Sequence, residues 1–386
     1  MTIKSYRRIF LRMFALLLGA LALAPAQAQD ILIGQVGSQT SVVTSANSKG
    51  MFLGMQSYFD SINAQGGVGG RHIKVINKDD GLNPAKMIEL TKEFAADKDV
   101  LALGCYLNTG GLTALSKQDV LGQLGIGLVA PLAGDKSIVG AANFFPFRSG
   151  YPDEVAALIK EAADTQKKKL VIVYWNVTFG PSMMQLAQEQ AKKLNVNVAA
   201  TIKVDAAATD KFDAVMKETV AAVVKEAPDA VLMLMSSKYV NEFVKQVKES
   251  PAGNAQIYGM SVTVVADIVK AAGAKNARGV VLAQAVPYPF SATLPAVNEY
   301  QKLMKQYAPN EPLSFSSLEG FTAAKIITEA LRRASPKPTR DKVLKALNEL
   351  GEYNLGGIYV NYSPKARQGW GGVDLTIIGE NGKLLR

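Results

Sequence analysis

The side chains that carry most enzyme chemistry are scarce in this chain. Its 386 residues include one histidine, His72, and one cysteine, Cys105. A Ser-His-Asp triad has only His72 to draw on, as has any other scheme that needs an imidazole base. A Cys/His zinc site needs about four ligands, and a lone cysteine closes no intramolecular disulfide. The chain also lacks a G-x-x-x-x-G-K-[ST] phosphate loop, a G-x-S-x-G elbow and an S-x-x-K pair. Most hydrolases and metalloenzymes are thereby set aside, and neither a metal nor a cofactor is expected. The acidic pair Asp79-Asp80 precedes Gly81. It either serves acid/base or cation chemistry or caps a turn and the next helix.

The remaining candidates suit binding rather than catalysis. Gly104-Cys105-Tyr106-Leu107-Asn108-Thr109-Gly110-Gly111 follows an apolar strand and precedes a helical stretch. Free backbone N–H groups at that helix start favour an anion, and the Thr109 hydroxyl adds a donor. Plain capping by Asn108 or Thr109 fits the same spacing. Cys105 has no histidine nearby in sequence to activate it and reads as a buried filler. Tyr174-Trp175 with Phe179, and Tyr151, stand at strand ends or crossovers, where aromatics either wall a cleft or fill a core. Ser236 and Ser237 also end a strand, as ligand donors or as a helix cap.

These residues need elements to hold them. Short apolar runs at 31–36, 72–76, 100–104, 126–130, 170–175, 199–204, 230–235, 256–259 and 279–286 read as strands buried on both faces. Amphipathic stretches separate them. Ser48–Asn63 places Phe52, Met55, Phe59 and Ile62 on one face, and Asn83-Pro84 pairs a capping residue with a proline suited to the first helical turn. Repeated strand-helix-strand units predict parallel sheets covered by helices. One set spans residue 31 to about 147, and a second starts near 170. An extended Pro-containing segment follows at 285–289, then a helical region at 294–350 and a Gly-rich strand pair at 356–386. Two such sheets facing each other leave a cleft at their strand ends, where small molecules bind and hinge closure buries them.

The first 28 residues differ from the rest. Lys4, Arg7, Arg8 and Arg12 precede an apolar run, Met13 to Pro25, and Ala26-Gln27-Ala28 fits a small-x-small cleavage pattern. This predicts a secretory signal peptide, with an apolar run too short for a stable membrane span. Gln29, not cysteine, follows the cut, so a free periplasmic protein is expected rather than a lipoprotein. Loss of four basic residues lowers the formal charge from +10 to +6. The remaining basic residues are scattered, without interleaved aromatics, and no nucleic-acid partner is expected.

Several segments carry a family resemblance. Ile33-Gly34-Gln35, then Gly50, Tyr58-Phe59-Asp60 and Asn63 to Arg71 (NAQGGVGGR) resemble the first βαβ unit of type I periplasmic solute-binding proteins of the branched-chain amino acid (Leu/Ile/Val-binding) branch. Asp79 to Lys86 (DDGLNPAK), Ser316 to Ala324 (SSLEGFTAA) and Val373 to Gly379 (VDLTIIG) are similar to its later landmarks, in order along the chain. The resemblance implies an α/β fold of two Rossmann-like lobes joined by three crossover hinge segments. Residues 29–147 and 287–355 would form lobe 1, and 148–286 and 356–386 lobe 2. It also implies a non-enzymatic, monomeric protein that delivers a small-molecule ligand to an ABC permease.

The resemblance further implies a ligand carboxylate against Asn108-Thr109 and contact with Leu132 and Ala133, where the family's hydroxyl is missing. Phe179 would cover the ligand, and Tyr151, Ser236 and Ser237 join the candidate site from their own positions at strand ends or crossovers. Ser261 stands where the family carries the acid that meets an ammonium. A buried ammonium without such a partner costs several kcal/mol. A carboxylate lacking an amine, such as an aromatic or short organic acid, therefore fits as well as an amino acid. The same binding event could signal to a membrane receptor or sensor kinase instead of a permease. An exported enzyme using Asp79, Asp80 or tyrosines is the remaining class.

Overall fold

The computed structural model describes residues 29–40, 44–135, 137–176, 179–205 and 209–386. The predicted signal segment lies outside them. Among the described residues no helix is long and apolar enough to cross a membrane.

The first sheet contains β1 (Ile31–Val36), β2 (Ile73–Lys78), β3 (Val100–Gly104), β4 (Leu128–Val129) and β5 (Phe144–Phe145). Their order is β2-β1-β3-β4-β5, and each neighbouring pair is parallel. Helices α1 (Ser45–Asn63), α2 (Pro84–Ala96), α3 (Thr109–Lys117) and α4 (Val120–Leu124) provide the crossings. At the start of α2, the Asn83 side chain accepts the N–H groups of Ala85 and Lys86, with Pro84 in the first turn. This is the expected start, because Pro84 has no N–H to satisfy.

The second lobe opens with α5 (Tyr151–Asp164) and continues through β6 (Lys169–Trp175), α6 (Phe179–Lys193), β7 (Asn197–Val204), α7 (Phe212–Glu226), β8 (Ala230–Leu234), α8 (Ser237–Lys248), β9 (Gln256–Gly259), α9 (Val265–Ala277) and β10 (Val281–Gln284). The chain then forms α10 (Pro295–Tyr307), α11 (Phe315–Arg333) and α12 (Arg340–Asn348) against the first sheet. The antiparallel strands β11 (Gly351–Asn354), β12 (Tyr359–Ser363) and β13 (Ala366–Gln368) follow, and then β14 (Asp374–Ile378) and β15 (Leu384–Leu385). The second sheet has the order β15-β14-β10-β9-β8-β6-β7. Strands β6 to β10 are parallel, while β14 and β15 extend the edge antiparallel.

One expected boundary moves. The return to lobe 2, read at residue 356, comes after residue 368. Ile358, Val360 and Tyr362 are buried in the core of the first lobe. Tyr362 donates its hydroxyl to Pro146 O at 2.8 Å, and Arg367 Nη1 donates to Phe144 O at 2.8 Å. The Gly-rich stretch read as one strand pair is thus divided between the lobes.

The chain crosses between lobes at 146–150, 285–294 and 369–373, and Ser149 touches all three crossings. Its N–H donates to Ala285 O at 3.1 Å. Its hydroxyl lies 2.9 Å from Trp370 O and 2.6 Å from Gly372 O. One apolar cluster runs from Leu103 and Tyr106 of the first lobe through Tyr151, Val155 and Leu158 of α5 to Leu170 and Ala283 of the second. The lobes thus share one apolar cluster around the first crossing.

Helix α11 packs closely along α1 because glycines face the contact. A Cβ at Gly320 would lie 2.0 Å from Met51 O, and one at Gly54 would lie 1.9 Å from Ser317 O. Real carbon atoms do not approach that closely, so the two helices would have to separate. Gly320→Ala is expected to destabilise the protein by about 2–4 kcal/mol. The denaturant midpoint checks this, and an unchanged midpoint would refute the close-packing argument.

Candidate functional site

The carboxyl end of β3 leads into a strained turn. Cys105 and Asn108 have φ values of 56° and 95°. Asn108 is held there by its own amide. Its Oδ1 accepts from Gly111 N at 3.1 Å, and its Nδ2 donates to Asp80 Oδ2 at 2.9 Å. Asp80 Oδ1 in turn accepts from Ser38 Oγ at 2.5 Å and Leu82 N at 3.0 Å. Asp79 accepts the N–H groups of Gln39, Thr40 and Gly81. Both acids brace loops, which matches the turn-capping reading of this pair. Among the described residues no group of acids, histidine and cysteine could hold a metal ion.

With Gly111 capped by Asn108, the N–H groups of Thr109 and Gly110 have no acceptor within α3. The loop after β4 lies alongside, held by Leu132 N to Tyr106 O at 2.8 Å. Tyr151 N bonds to Gly134 O at 3.0 Å, and the Tyr151 hydroxyl pairs with the Thr109 side chain. Burial pushes the Tyr151 phenol up to about 12, so it remains a neutral hydrogen-bonding group at neutral pH.

These groups open on a cavity of about 320 Å³. Thr44, Asn47, Leu82, Pro84 and Leu107 line it from the first lobe together with Asn108, Thr109, Gly110 and Leu132. Tyr151 stands at the crossing, and Trp175, Ser236 and Val262 face it from the second lobe. Among the described residues, none that lines it carries a charge. Asn47 bridges the lobes, donating to Val262 O at 3.1 Å while its Oδ1 accepts from Ser316 Oγ at 2.6 Å.

Of the residues singled out in the sequence, Asn108, Thr109, Leu132, Tyr151 and Ser236 line this cavity. Phe179 and Ser237 begin α6 and α8, and their side chains lie outside the described ones. Ala133 is set elsewhere, buried in the core that joins the lobes. Ser261 does not line this cavity but an adjoining one of about 470 Å³, which shares Asn47 with it. Its N–H and hydroxyl both donate to Glu154, each at 2.8 Å. Asn47, Thr44 and Val262 carried no local sequence signal, whereas Trp175 had one as an aromatic at a strand end.

Ser261 belongs to a buried polar knot behind the cavity. Arg148 Nη2 donates to Ser261 Oγ at 2.8 Å, and Arg148 Nε lies 3.7 Å from Glu319 Oε1 of α11. Arg148, Glu154 and Glu319 are all buried. Burial pushes Glu319 up to about 7, with Arg148 opposing the shift and Glu154 adding to it. Burial also pushes the Cys105 thiol well above its usual range, consistent with an inert filler.

The Glu319 shift has a definite sign. A carboxyl that holds its proton more tightly when folded contributes stability on the acid side. That contribution falls as pH rises from about 4.5 to about 7. Glu319→Gln cannot lose this proton. Relative to wild type, the variant is expected to gain about 1–3 kcal/mol between pH 5 and pH 8. Paired urea titrations at the two pH values measure the gain, and a constant difference would contradict a proton on Glu319.

Comparison with known proteins agrees with this architecture. The sequence pattern of the family described as "Periplasmic binding protein" matches residues 30–383. The Leu/Ile/Val-binding protein of Escherichia coli (strain K12) is 25% identical over 192 residues, which cover 48% of this chain and 51% of that one. The Leu/Ile/Val-binding protein homolog 2 of Brucella abortus (strain 2308) is 25% identical over 169 residues, 43% of this chain and 44% of that one. The chain thus spans about half the length of the curated relatives it matches. A solved substrate-binding periplasmic protein from Ralstonia solanacearum superposes with a TM-score of 0.84 at 25% identity, covering 92% of this chain and 99% of that one. With its two facing lobes, three crossings and strand-end cavity, the chain belongs to the periplasmic binding protein family.

Proposed function

We propose that this chain is the solute-binding component of an ABC importer, exported to the periplasm, and that its lobes close on a small carboxylate-bearing solute. The observation that carries this reading is the start of α3, where the N–H groups of Thr109 and Gly110 are left without helical acceptors at the edge of a cavity shared by both lobes. A helix N-terminus stabilises an anion without a cationic side chain. Leu82, Pro84, Leu107, Leu132, Trp175 and Val262 suit an apolar body attached to that carboxylate. The relatives' printed names refer to leucine, isoleucine and valine, which combine a carboxylate with an apolar side chain.

The ammonium of an amino acid finds no acid here. None of the described lining residues is acidic, and Ser261 is engaged by Glu154. This favours acids without an amine over α-amino acids.

A thermal-shift panel of L-leucine, L-phenylalanine, propionate, benzoate, 4-hydroxybenzoate and benzamide tests the reading. A carboxylate at 100 times its Kd is expected to add about 2.7 kcal/mol of stability. The Thr109→Ala change should weaken its binding by about 1–3 kcal/mol, through loss of the hydroxyl shared with Tyr151. Calorimetry measures that loss. A panel without a single carboxylate shift, or affinity unchanged in Thr109→Ala, would count against the site.

A further inference from the structure

The knot behind the cavity holds two carboxylates and one guanidinium. Arg148 gives a 2.8 Å hydrogen bond to Ser261, and Ser261 gives both of its donors to Glu154. The Glu154 carboxylate is therefore well satisfied. Arg148 Nε approaches Glu319 Oε1 to 3.7 Å, and that oxygen accepts no hydrogen bond from the described residues. Of the two acids, Glu319 is the one that more readily surrenders its charge. With Glu319 ionised the knot carries one net negative charge, and with Glu319 protonated it is neutral.

The groups facing Glu319 come from three places: Arg148 from the first crossing, Glu154 and Tyr151 from α5, and Cys105 from the turn after β3. Other packed elements direct their charges elsewhere. On α1, Lys49 pairs with Glu311 and Asp60 accepts from Gln56. On α11 itself, Lys325 pairs with Glu299 of α10 and Arg333 with Glu329. Arg340 of α12 donates to backbone carbonyls of Ala95, Asp97 and Val100.

Tyr151 links the knot to the cavity. It lines the cavity, bonds to Thr109 and lies in the field of Arg148, Glu154 and Glu319. An anion at the start of α3 places a second negative charge in the same poorly screened region.

We propose that guest binding is proton-linked, so that an anion entering the cavity draws a proton onto Glu319. This inference rests on the carboxylate reading of the cavity. Glu319 touches nothing in the cavity and acts as a positioning residue that sets the charge behind it. Because binding favours the protonated form, affinity for an anion is highest on the acid side of neutrality and falls as pH rises. A simple carboxylate guest is ionised throughout that range and supplies no such dependence itself.

Calorimetric titration of the full mature chain with benzoate and with L-leucine, from pH 6 to pH 9 in two buffers of different ionisation enthalpy, tests the link. For a one-unit shift of the Glu319 proton, the Kd for benzoate is expected to rise about eightfold across the range, with net proton uptake near pH 7.5. In Glu319→Gln both the slope and the uptake should vanish. A purely structural role would weaken binding equally at every pH. PH-independent binding without proton uptake in the wild type overturns the proposal and leaves the carboxylate reading standing, as does uptake that persists in Glu319→Gln. No binding by any carboxylate of the panel at any pH removes both. The buffer comparison on wild type needs no variant, so the test remains decisive if Glu319→Gln folds poorly.

Discussion

Three chain crossings gathered on one side of the molecule constrain everything else in it. Ser149 is bonded to both of the other crossings, through its N–H to Ala285 and its hydroxyl to Trp370 and Gly372. Polar backbone buried at such a junction must find partners, and one serine satisfies carbonyls from two distant segments. The cavity lies where the strand ends of the two lobes meet, and Asn47 ties the lobes together across it.

The same junction explains the cavity's chemistry. Two buried acids near it are engaged by neutral polar groups of the protein rather than offered to a guest. Asp80 holds Asn108, and Glu154 holds Ser261. What remains for a guest is backbone N–H, amide and hydroxyl groups above an apolar floor. Such a surface can take a carboxylate because oriented backbone dipoles replace part of its hydration shell. Placing Arg148 one residue from Ser149 also sets the costly desolvated charges of the knot beside the first crossing.

Much of the fold was legible in the sequence. Apolar runs of strand length gave eight of the paired strands in the two large sheets close to their observed limits, and Asn83-Pro84 marked the start of α2. Local signals were strong there because cap chemistry and side-chain periodicity are local. The two-residue strands β4 and β5 show the limit. The run read at 126–130 shrank to Leu128–Val129, and Phe144–Phe145 was not read at all. Residues 356–368 were assigned to the wrong lobe because their attachment depends on Tyr362 and Arg367 reaching carbonyls more than 200 positions away. The cavity was legible in part: Asn108 and Thr109 announced themselves by spacing, while Asn47 and Val262 became neighbours only through the fold. The partner of Ser261 was illegible for a related reason. A sequence places a residue at a strand end, but it does not say which distant acid will claim the side chain.

The central claim is that the space between the lobes takes a carboxylate at the start of α3. A crystal structure of the protein purified without denaturation examines this directly. The account expects guest density in the cavity, with two oxygens within hydrogen-bond reach of the Thr109 and Gly110 amides. Well-defined guest density anywhere else, with solvent alone against those two amides, would contradict it.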